Sequence, residues 1–106
     1  IKIHQLCIYK GAPMEQDYRQ GKIDILDEDY YAELVADTIE MLPPEMIIMR
    51  LVAEGKKDEL LAPTWSYDKF TTMDKIRYKM KERKSRQGSR FQASHTADFA
   101  DRILSV

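Results

Sequence analysis

The chain begins with an apolar stretch that reads Ile1-Lys2-Ile3-His4-Gln5-Leu6-Cys7-Ile8-Tyr9-Lys10-Gly11. Its many apolar and β-branched side chains predict a buried β-strand from Ile1 to Tyr9, which Gly11 ends. A strand has to pair its backbone N–H and C=O groups with neighbours. We therefore expect the chain to be a piece of a larger protein, in which residues before Ile1 help to complete the sheet.

A helix and a second strand are predicted next along the chain. Asp27 is a favourable N-cap, and acidic residues follow it in the first turn of the helix. Apolar residues at spacings of one, three and four continue to about Leu42, and Pro43-Pro44 ends the helix. The apolar run Met46–Val52 predicts a second buried strand. Because a helix joins the two strands, we predict a parallel pair with a right-handed connection.

Two further helices complete the prediction. Ser66 is expected to cap a helix that runs to about Lys84, and a short helix is expected from Thr96 or Ala97 to Leu104. The predicted fold class is α/β, a β-α-β-α(-α) fragment with a parallel strand pair. Two strands alone leave unpaired outer edges, so we expect self-association of the piece or a cover from its tail.

Length and composition exclude several classes of protein. With 106 residues, 43% hydrophobic and 33% charged, the chain suits one folded domain with a modest core. It has no apolar run near the roughly 20 residues of a membrane span and no signal-peptide pattern. A single Cys fits a reducing compartment, so we expect a cytoplasmic protein without membrane contact. One Cys and two His cannot by themselves supply four zinc ligands or hold an iron–sulfur cluster.

The charges are distributed unevenly although the net charge is only −1. Residues 13–45 contain ten acids and two bases, whereas residues 75–90 contain eight bases and one acid, Glu82. Two interpretations remain open at this point. The charged residues can form two solvated helix faces, or the basic segment 75–90 can bind an anionic partner such as RNA.

A set of short fragments, in order and at consistent spacing, carries a further signal. These fragments are residues 1–6, Lys10-Gly11-Ala12-Pro13-Met14, Tyr18-Arg19-Gln20-Gly21-Lys22, the helix with Tyr31, Glu33-Leu34-Val35 and Asp37, Leu42-Pro43-Pro44-Glu45, Ile47-Ile48-Met49-Arg50-Leu51, Leu60-Leu61-Ala62-Pro63-Thr64-Trp65-Ser66, Glu82-Arg83-Lys84 and Arg86-Gln87-Gly88. Together they resemble the C-terminal part of bacterial radical S-adenosylmethionine (radical SAM) proteins, iron–sulfur oxidoreductases related to the catalytic subunit of elongator. The resemblance covers residues 1–91, and residues 92–106 form a short helical tail without a counterpart. It departs at Val52–Asp58, where the family usually carries Thr-Gly-Asp after the arginine and leucine.

The resemblance implies the end of a partial (β/α) barrel, with Ile1–Tyr9 as the last core strand and Met46–Val52 as a further strand. In such a parent protein a three-cysteine motif holds a [4Fe-4S] cluster, and S-adenosylmethionine binds to that cluster. Both cofactors would lie in the parent upstream of Ile1 and not in this piece, and Cys7 should not be a cluster ligand. The expected partner of the piece is therefore the remainder of its own barrel.

Three residues are candidates for the site that the resemblance implies. Sites in such barrels lie at the C-terminal ends of the strands. His4 and Leu6 are therefore expected near the cofactor and Arg50 near the substrate, with no catalytic residue and no metal ligand in this piece. Structural alternatives remain open, because His4 can be a hydrogen-bonded structural histidine. A half-buried Arg50 can pair with one of the many acids.

Two functions from different classes follow. The first is the C-terminal, non-cluster-binding part of a radical SAM [4Fe-4S] oxidoreductase, which completes the barrel and shapes the substrate side while being inactive alone. The alternative is a stand-alone interaction or RNA-binding module that uses the basic segment 75–90.

Overall fold

The computed structural model describes residues 1–92. Along the chain the elements are strand β1 (Ile8–Tyr9), helix α1 (Met14–Arg19), helix α2 (Glu28–Met41), strand β2 (Leu60–Ala62), a 3₁₀-helix (Thr64–Tyr67) and helix α3 (Lys69–Glu82). The helix predicted from Thr96 or Ala97 to Leu104 lies outside the described residues. None of the helices within residues 1–92 is long and apolar enough to cross a membrane.

Helix α2 confirms the prediction made from its capping and apolar pattern. The Asp27 side chain accepts a hydrogen bond from the backbone N–H of Tyr30 at 2.7 Å, which satisfies one of the free donors at the helix start. The helix ends at Leu42, directly before the two prolines. Its apolar face is buried against the rest of the domain, so amphipathic spacing alone was sufficient to find this element.

Replacing Asp27 by alanine is expected to lower the free energy of unfolding by about 1 kcal/mol, because the N–H of Tyr30 loses its acceptor. Urea unfolding followed by circular dichroism measures the change. Asp27→Ser keeps a side-chain acceptor at the cap and should stay within about 0.5 kcal/mol of the wild-type value. Equal losses for both variants would show that the cap contributes nothing specific.

The predicted parallel strand pair is wrong, and residues 1–92 contain no barrel. β1 and β2 instead form an antiparallel two-stranded sheet in which Ile8 lies opposite Ala62. The predicted parallel strands were Ile1–Tyr9 and Met46–Val52, and these segments share one isolated parallel bridge, between Lys2 and Arg50. The fold is thus a small α/β domain with a minimal sheet.

The buried side chain of Gln5 explains why the two segments do not form a longer ladder. Its amide oxygen accepts from the N–H of Ala53 at 3.0 Å, and its amide nitrogen donates to the C=O of Ala53 at 2.7 Å. A side chain therefore takes both backbone hydrogen bonds that a neighbouring strand would otherwise make. The apolar run predicted a strand because periodicity does not report which group satisfies the backbone.

The core lies between α2, α3 and the segment around Val52. Its buried members are Tyr31, Ala32, Val35, Ile39, Val52 and Ile76. The Tyr31 hydroxyl donates to the C=O of Leu51 at 2.6 Å, so α2 is also tied to this segment by a hydrogen bond. Burial raises the pKa of Tyr31 to about 12, because a charged phenolate is disfavoured away from water.

Helix α3 begins later than predicted. Its N-cap is Asp68, whose side chain accepts from the N–H groups of Phe70 and Thr71. The expected cap, Ser66, lies instead in the preceding 3₁₀-helix and is fully buried. Thr72 and Ile76 of α3 are buried, and Met73 and Met80 are partly buried against the core. Polar contacts with α2 add to this attachment.

The segment after α3 folds back over the C-terminal end of α2. The N–H groups of Gly88 and Arg90 donate to the C=O groups of Ile39 and Glu40 at 3.1 and 2.8 Å. The bond to Glu40 satisfies a carbonyl of the last helical turn, and the bond to Ile39 adds a second donor to a carbonyl that also accepts from the N–H of Leu42. Gly88 has a φ of +85°, and a Cβ atom at this position would collide with the ring of Pro44, so only glycine fits there.

Candidate functional site

Residues 1–6 and 46–50 meet along one edge of the domain, where the predicted site residues lie. The N–H of Ile3 donates to the C=O of Arg50 at 2.7 Å, and the N–H of Met49 donates to the C=O of Ile1 at 2.8 Å. These bonds place His4 directly after the contact with Arg50. We refer to residues 1–6 and 46–50 together as the edge.

Large apolar side chains of the edge are exposed. Ile47 is 77% exposed, Met49 is 71% exposed and Leu6 is 51% exposed. Single exposed apolar residues are ordinary on protein surfaces, but a group of them on paired backbone segments is typical of a surface that another part of a protein covers. The edge therefore has the chemistry of an interface.

Gln5 fixes the edge to the interior. Besides its two bonds to Ala53, its amide nitrogen donates to the hydroxyl of Ser66 at 2.6 Å. Both side chains are buried, and the backbone C=O of Ser66 accepts from the N–H of Gly55 at 2.9 Å. Three segments distant in sequence are joined at this point. The sequence analysis missed this centre, although a glutamine within an otherwise apolar run was a visible signal.

A cleft of about 190 Å³ lies beside Leu6. Leu26, Pro63 and Trp65 form apolar parts of its wall, and Asp24 stands in its lining. The indole N–H of Trp65 donates to the C=O of Leu26 at 3.1 Å, which holds the residues before α2 against the 3₁₀-helix. The cleft has room for one side chain or a small apolar group of a ligand.

Helices α2 and α3 are joined by a ladder of ion pairs. Acids four residues apart on α2 meet bases four residues apart on α3, and each acid and its base are 46 residues apart in sequence. The pairs are Asp29 with Lys75 at 3.2 Å, Glu33 with Lys79 at 2.9 Å, and Asp37 with Arg83 at 2.8 Å. A constant separation means that the two helices run parallel.

Glu40 closes this ladder at its most buried point. Its side chain is only 5% exposed and accepts from Arg83 at 2.8 Å. The hydroxyl of Ser85 donates to it at 3.1 Å, and Arg90 lies 3.5 Å from its second oxygen. Arg83 also pairs with Glu33, so one guanidinium contacts three carboxylates. A buried carboxylate requires such partners, because desolvating an unpaired charge is costly.

The pKa values of the ladder follow from these contacts. The hydrogen bond from Arg83 lowers the pKa of the Glu40 carboxyl more than burial raises it. The hydrogen bond from Lys79 is the main cause that lowers the pKa of Glu33. Both carboxylates therefore remain charged below the pH at which an ordinary glutamate is protonated. Half of the bases in segment 75–90 are paired with acids of α2 in this way.

The predicted site residues are all near the edge, but they do not form one cluster. His4 is exposed, and its Nδ1 lies 3.3 Å from the C=O of Gln5. Arg50 is also exposed, so the expectation that it is half-buried is wrong. Within residues 1–92 no hydrogen bond or ion pair joins the side chains of His4 and Arg50. Leu6 lines the cleft, and the cofactor and substrate roles of these three residues stay predictions.

Comparison with known protein families assigns the chain to one family. The family model of the radical SAM C-terminal domain matches residues 1–82. This chain belongs to that family. As a radical SAM C-terminal domain, it carries the edge, the cleft and most of the ion-pair ladder inside the matched region, whereas the segment that covers the end of α2 follows it.

Three similar proteins agree with the family assignment. The uncharacterized protein YtqA of Bacillus subtilis is 40% identical over 92 residues, which are 87% of this chain and 29% of YtqA. The uncharacterized protein MJ0486 of Methanocaldococcus jannaschii is 34% identical over 86% of this chain and 29% of its own length. Protein YhcC of Escherichia coli K12 is 33% identical over 69% of this chain and 24% of its own. The domain thus spans less than a third of these relatives, and no solved structure matches it significantly.

The residues of this domain do not fit an iron–sulfur cluster. Such clusters are held mainly by several cysteine thiolates, and Cys7 is the one cysteine of the sequence. Cys7 is half-buried, and residues 1–92 contain no group of three or more His, Cys, Asp or Glu side chains placed to hold a metal ion. Any cluster of a parent protein would need ligands from outside this domain.

Proposed function

We propose that this chain is the C-terminal, non-cluster-binding part of a radical SAM [4Fe-4S] oxidoreductase, in which it completes the catalytic part and shapes its substrate side. The exposed apolar edge carries this proposal. Ile47 and Met49 are the most exposed of the large apolar side chains within residues 1–92. They directly precede Arg50 on the backbone that pairs with residues 1–3, so a docked catalytic part would meet the predicted site residues.

A second exposed apolar surface supports docking against a larger protein. Tyr30, Leu34 and Met41 lie on one side of α2, because residues four and eleven positions apart are close in angle on a helix. The acids of α2 that pair with α3 occupy another side, and the core face is buried. This leaves an apolar helix surface available for a neighbouring element of the parent.

Oxidation of methionine in the full-length parent protein tests the docking of the edge. Met49 is 71% exposed in this domain, whereas Met14 is 38% exposed, so the undocked domain should lose Met49 faster to dilute hydrogen peroxide. In the full-length protein we expect the order to be reversed, because the catalytic part covers Met49. Peptide mass spectrometry reads out both sites in one sample, with Met14 as the internal control.

A substitution in the edge tests whether the proposed docking contact protects Met49. Ile47→Asp places a charge in the proposed contact and should raise the oxidation rate of Met49 severalfold in the full-length protein. The corresponding change at an exposed residue outside the edge, Gln16→Asp, should leave that rate unchanged. If Met49 already reacts faster than Met14 in the unaltered full-length protein, the edge is not an interface and the proposal fails.

A further inference from the structure

The ion-pair ladder divides the eight bases of segment 75–90 into two equal sets. The first set pairs with acids of α2 and consists of Lys75, Lys79, Arg83 and Arg90. The second set is exposed and consists of Arg77, Lys81, Lys84 and Arg86. Within residues 1–92 the ion pair formed by this second set is that of Arg77 with Asp74, in which both side chains are mostly exposed. We refer to the second set as the outer bases.

The outer bases repel one another on a short stretch of chain. Arg77 and Lys81 are one helical turn apart, and like charges at this spacing destabilise a helix. Lys84 and Arg86 follow directly after the helix end, and Lys84 adopts a φ of +52° that ends the helix. Glu82 is the single acid of the segment, so the repulsion is only partly relieved within it. A bound polyanion would relieve the remainder.

Exposed aromatic rings accompany these charges. Tyr78 lies one helical turn before Lys81 and is 63% exposed, and the acids Asp74 and Glu82 line the same groove as its ring. Phe70 at the start of α3 is 65% exposed. Nucleobases stack on exposed aromatic rings when they are unpaired, whereas a duplex keeps its bases stacked inside. Proteins that bind single-stranded nucleic acid commonly combine basic side chains with exposed aromatic rings.

We propose that the outer bases and Tyr78 form a binding surface for single-stranded nucleic acid along α3, with Tyr78 at the border of this surface, next to the groove that it lines with Asp29 and Lys75. The outer bases neutralise phosphates, and the Tyr78 ring stacks on one base. The bases of the ladder take no part, because carboxylates of α2 already hold them. This surface shares no residue with the edge, so variants in the two surfaces can be tested independently.

Fluorescence anisotropy with a labelled 15-nucleotide oligouridine tests this surface in the full-length protein. The triple variant Lys81→Gln, Lys84→Gln, Arg86→Gln should bind at least tenfold more weakly at 50 mM salt. The slope of log affinity against log salt should fall by about 2, as expected for three lost phosphate contacts. The matched control is Lys10→Gln, Lys56→Gln, Lys57→Gln, which removes three exposed bases elsewhere and should stay within twofold.

A second pair of variants tests the stacking. Tyr78→Leu should weaken binding about fivefold or more, and Tyr78→Phe should bind like the wild type. A duplex of the same length should bind less tightly than the single strand. The proposal is overturned if the unaltered protein does not bind at 50 mM salt or if the two triple variants lose affinity equally. It is also overturned if Tyr78→Leu has no effect.

Discussion

Replacing Arg83 by methionine is expected to lower the free energy of unfolding by about 2–4 kcal/mol. The methionine keeps the aliphatic part of the side chain but removes the guanidinium that contacts three carboxylates. Glu40 is then left buried with only the hydroxyl of Ser85 and the more distant Arg90 as partners. Removing one partner of a buried ion pair lowers the free energy of unfolding by more than the pair contributes to it. The reason is that the other partner remains as a buried charge without compensation.

Urea unfolding followed by circular dichroism measures this loss. The matched control is Arg77→Met, which removes an arginine from the exposed pair with Asp74 on the same helix and should cost less than about 0.5 kcal/mol. The variant Glu40→Gln should also be destabilised, since an amide carries no charge for Arg83. Similar losses in Arg83→Met and Arg77→Met would show that the burial of Glu40 has no energetic consequence.

The same contact determines how stability depends on pH. The pKa of Glu40 is lowered in the folded state, so its contribution is fully present above the value of 4.5 of an ordinary glutamate. That contribution is lost as the pH falls through the lower folded value. The wild type should therefore lose stability steeply in acid, and Arg83→Met should show a flatter curve below pH 4.5.

Replacing Gln5 by leucine is expected to lower the free energy of unfolding by about 3 kcal/mol. Leucine has a similar volume, but it leaves the partly buried N–H and C=O of Ala53 and the buried hydroxyl of Ser66 without their partner. Each buried polar group without a partner costs about 1–3 kcal/mol, although part of the cost is relieved by local movement. The loss should also loosen the edge, since Gln5 fixes it to the interior.

Two variants separate this effect from a general intolerance of substitution. Gln16→Leu changes the same residue type on the exposed surface of α1 and should stay within about 0.5 kcal/mol of the wild type. The double variant Gln5→Leu, Ser66→Ala removes both partners of one hydrogen bond. It should lose less stability than the sum of the two single variants. Strict additivity would contradict a direct bond between these side chains.

Local sequence signals predicted helix α2 correctly, but they did not predict how the strands pair. The cap at Asp27, the apolar spacing and the two prolines act over a few residues, so the sequence displays them directly. The strands failed because their backbone partners are set by tertiary contacts, above all by Gln5, which bonds to a loop 48 residues away. A run of apolar residues shows that a segment is buried, but not which groups satisfy its backbone.

The candidate site also depends on tertiary contacts that the sequence does not display. The sequence suggested His4, Leu6 and Arg50, and the structure brings the three near one edge without making them a cluster. The four-residue spacing of acids in α2 and bases in α3 was visible in the sequence. This spacing predicts ion pairs between the two helices only if the helices run parallel and in register. In any other register the same charges would be exposed to solvent.

The segment that folds back over α2 changes where this domain ends. The family match stops at residue 82. Arg83, Gly88 and Arg90 nevertheless close the last turn of α2 and partner its buried carboxylate. A chain cut at the boundary of the match would keep every helix found within residues 1–92 and still lose the closure that stabilises α2. The unit of folding is therefore longer than the region that the family model matches, and it includes Arg90.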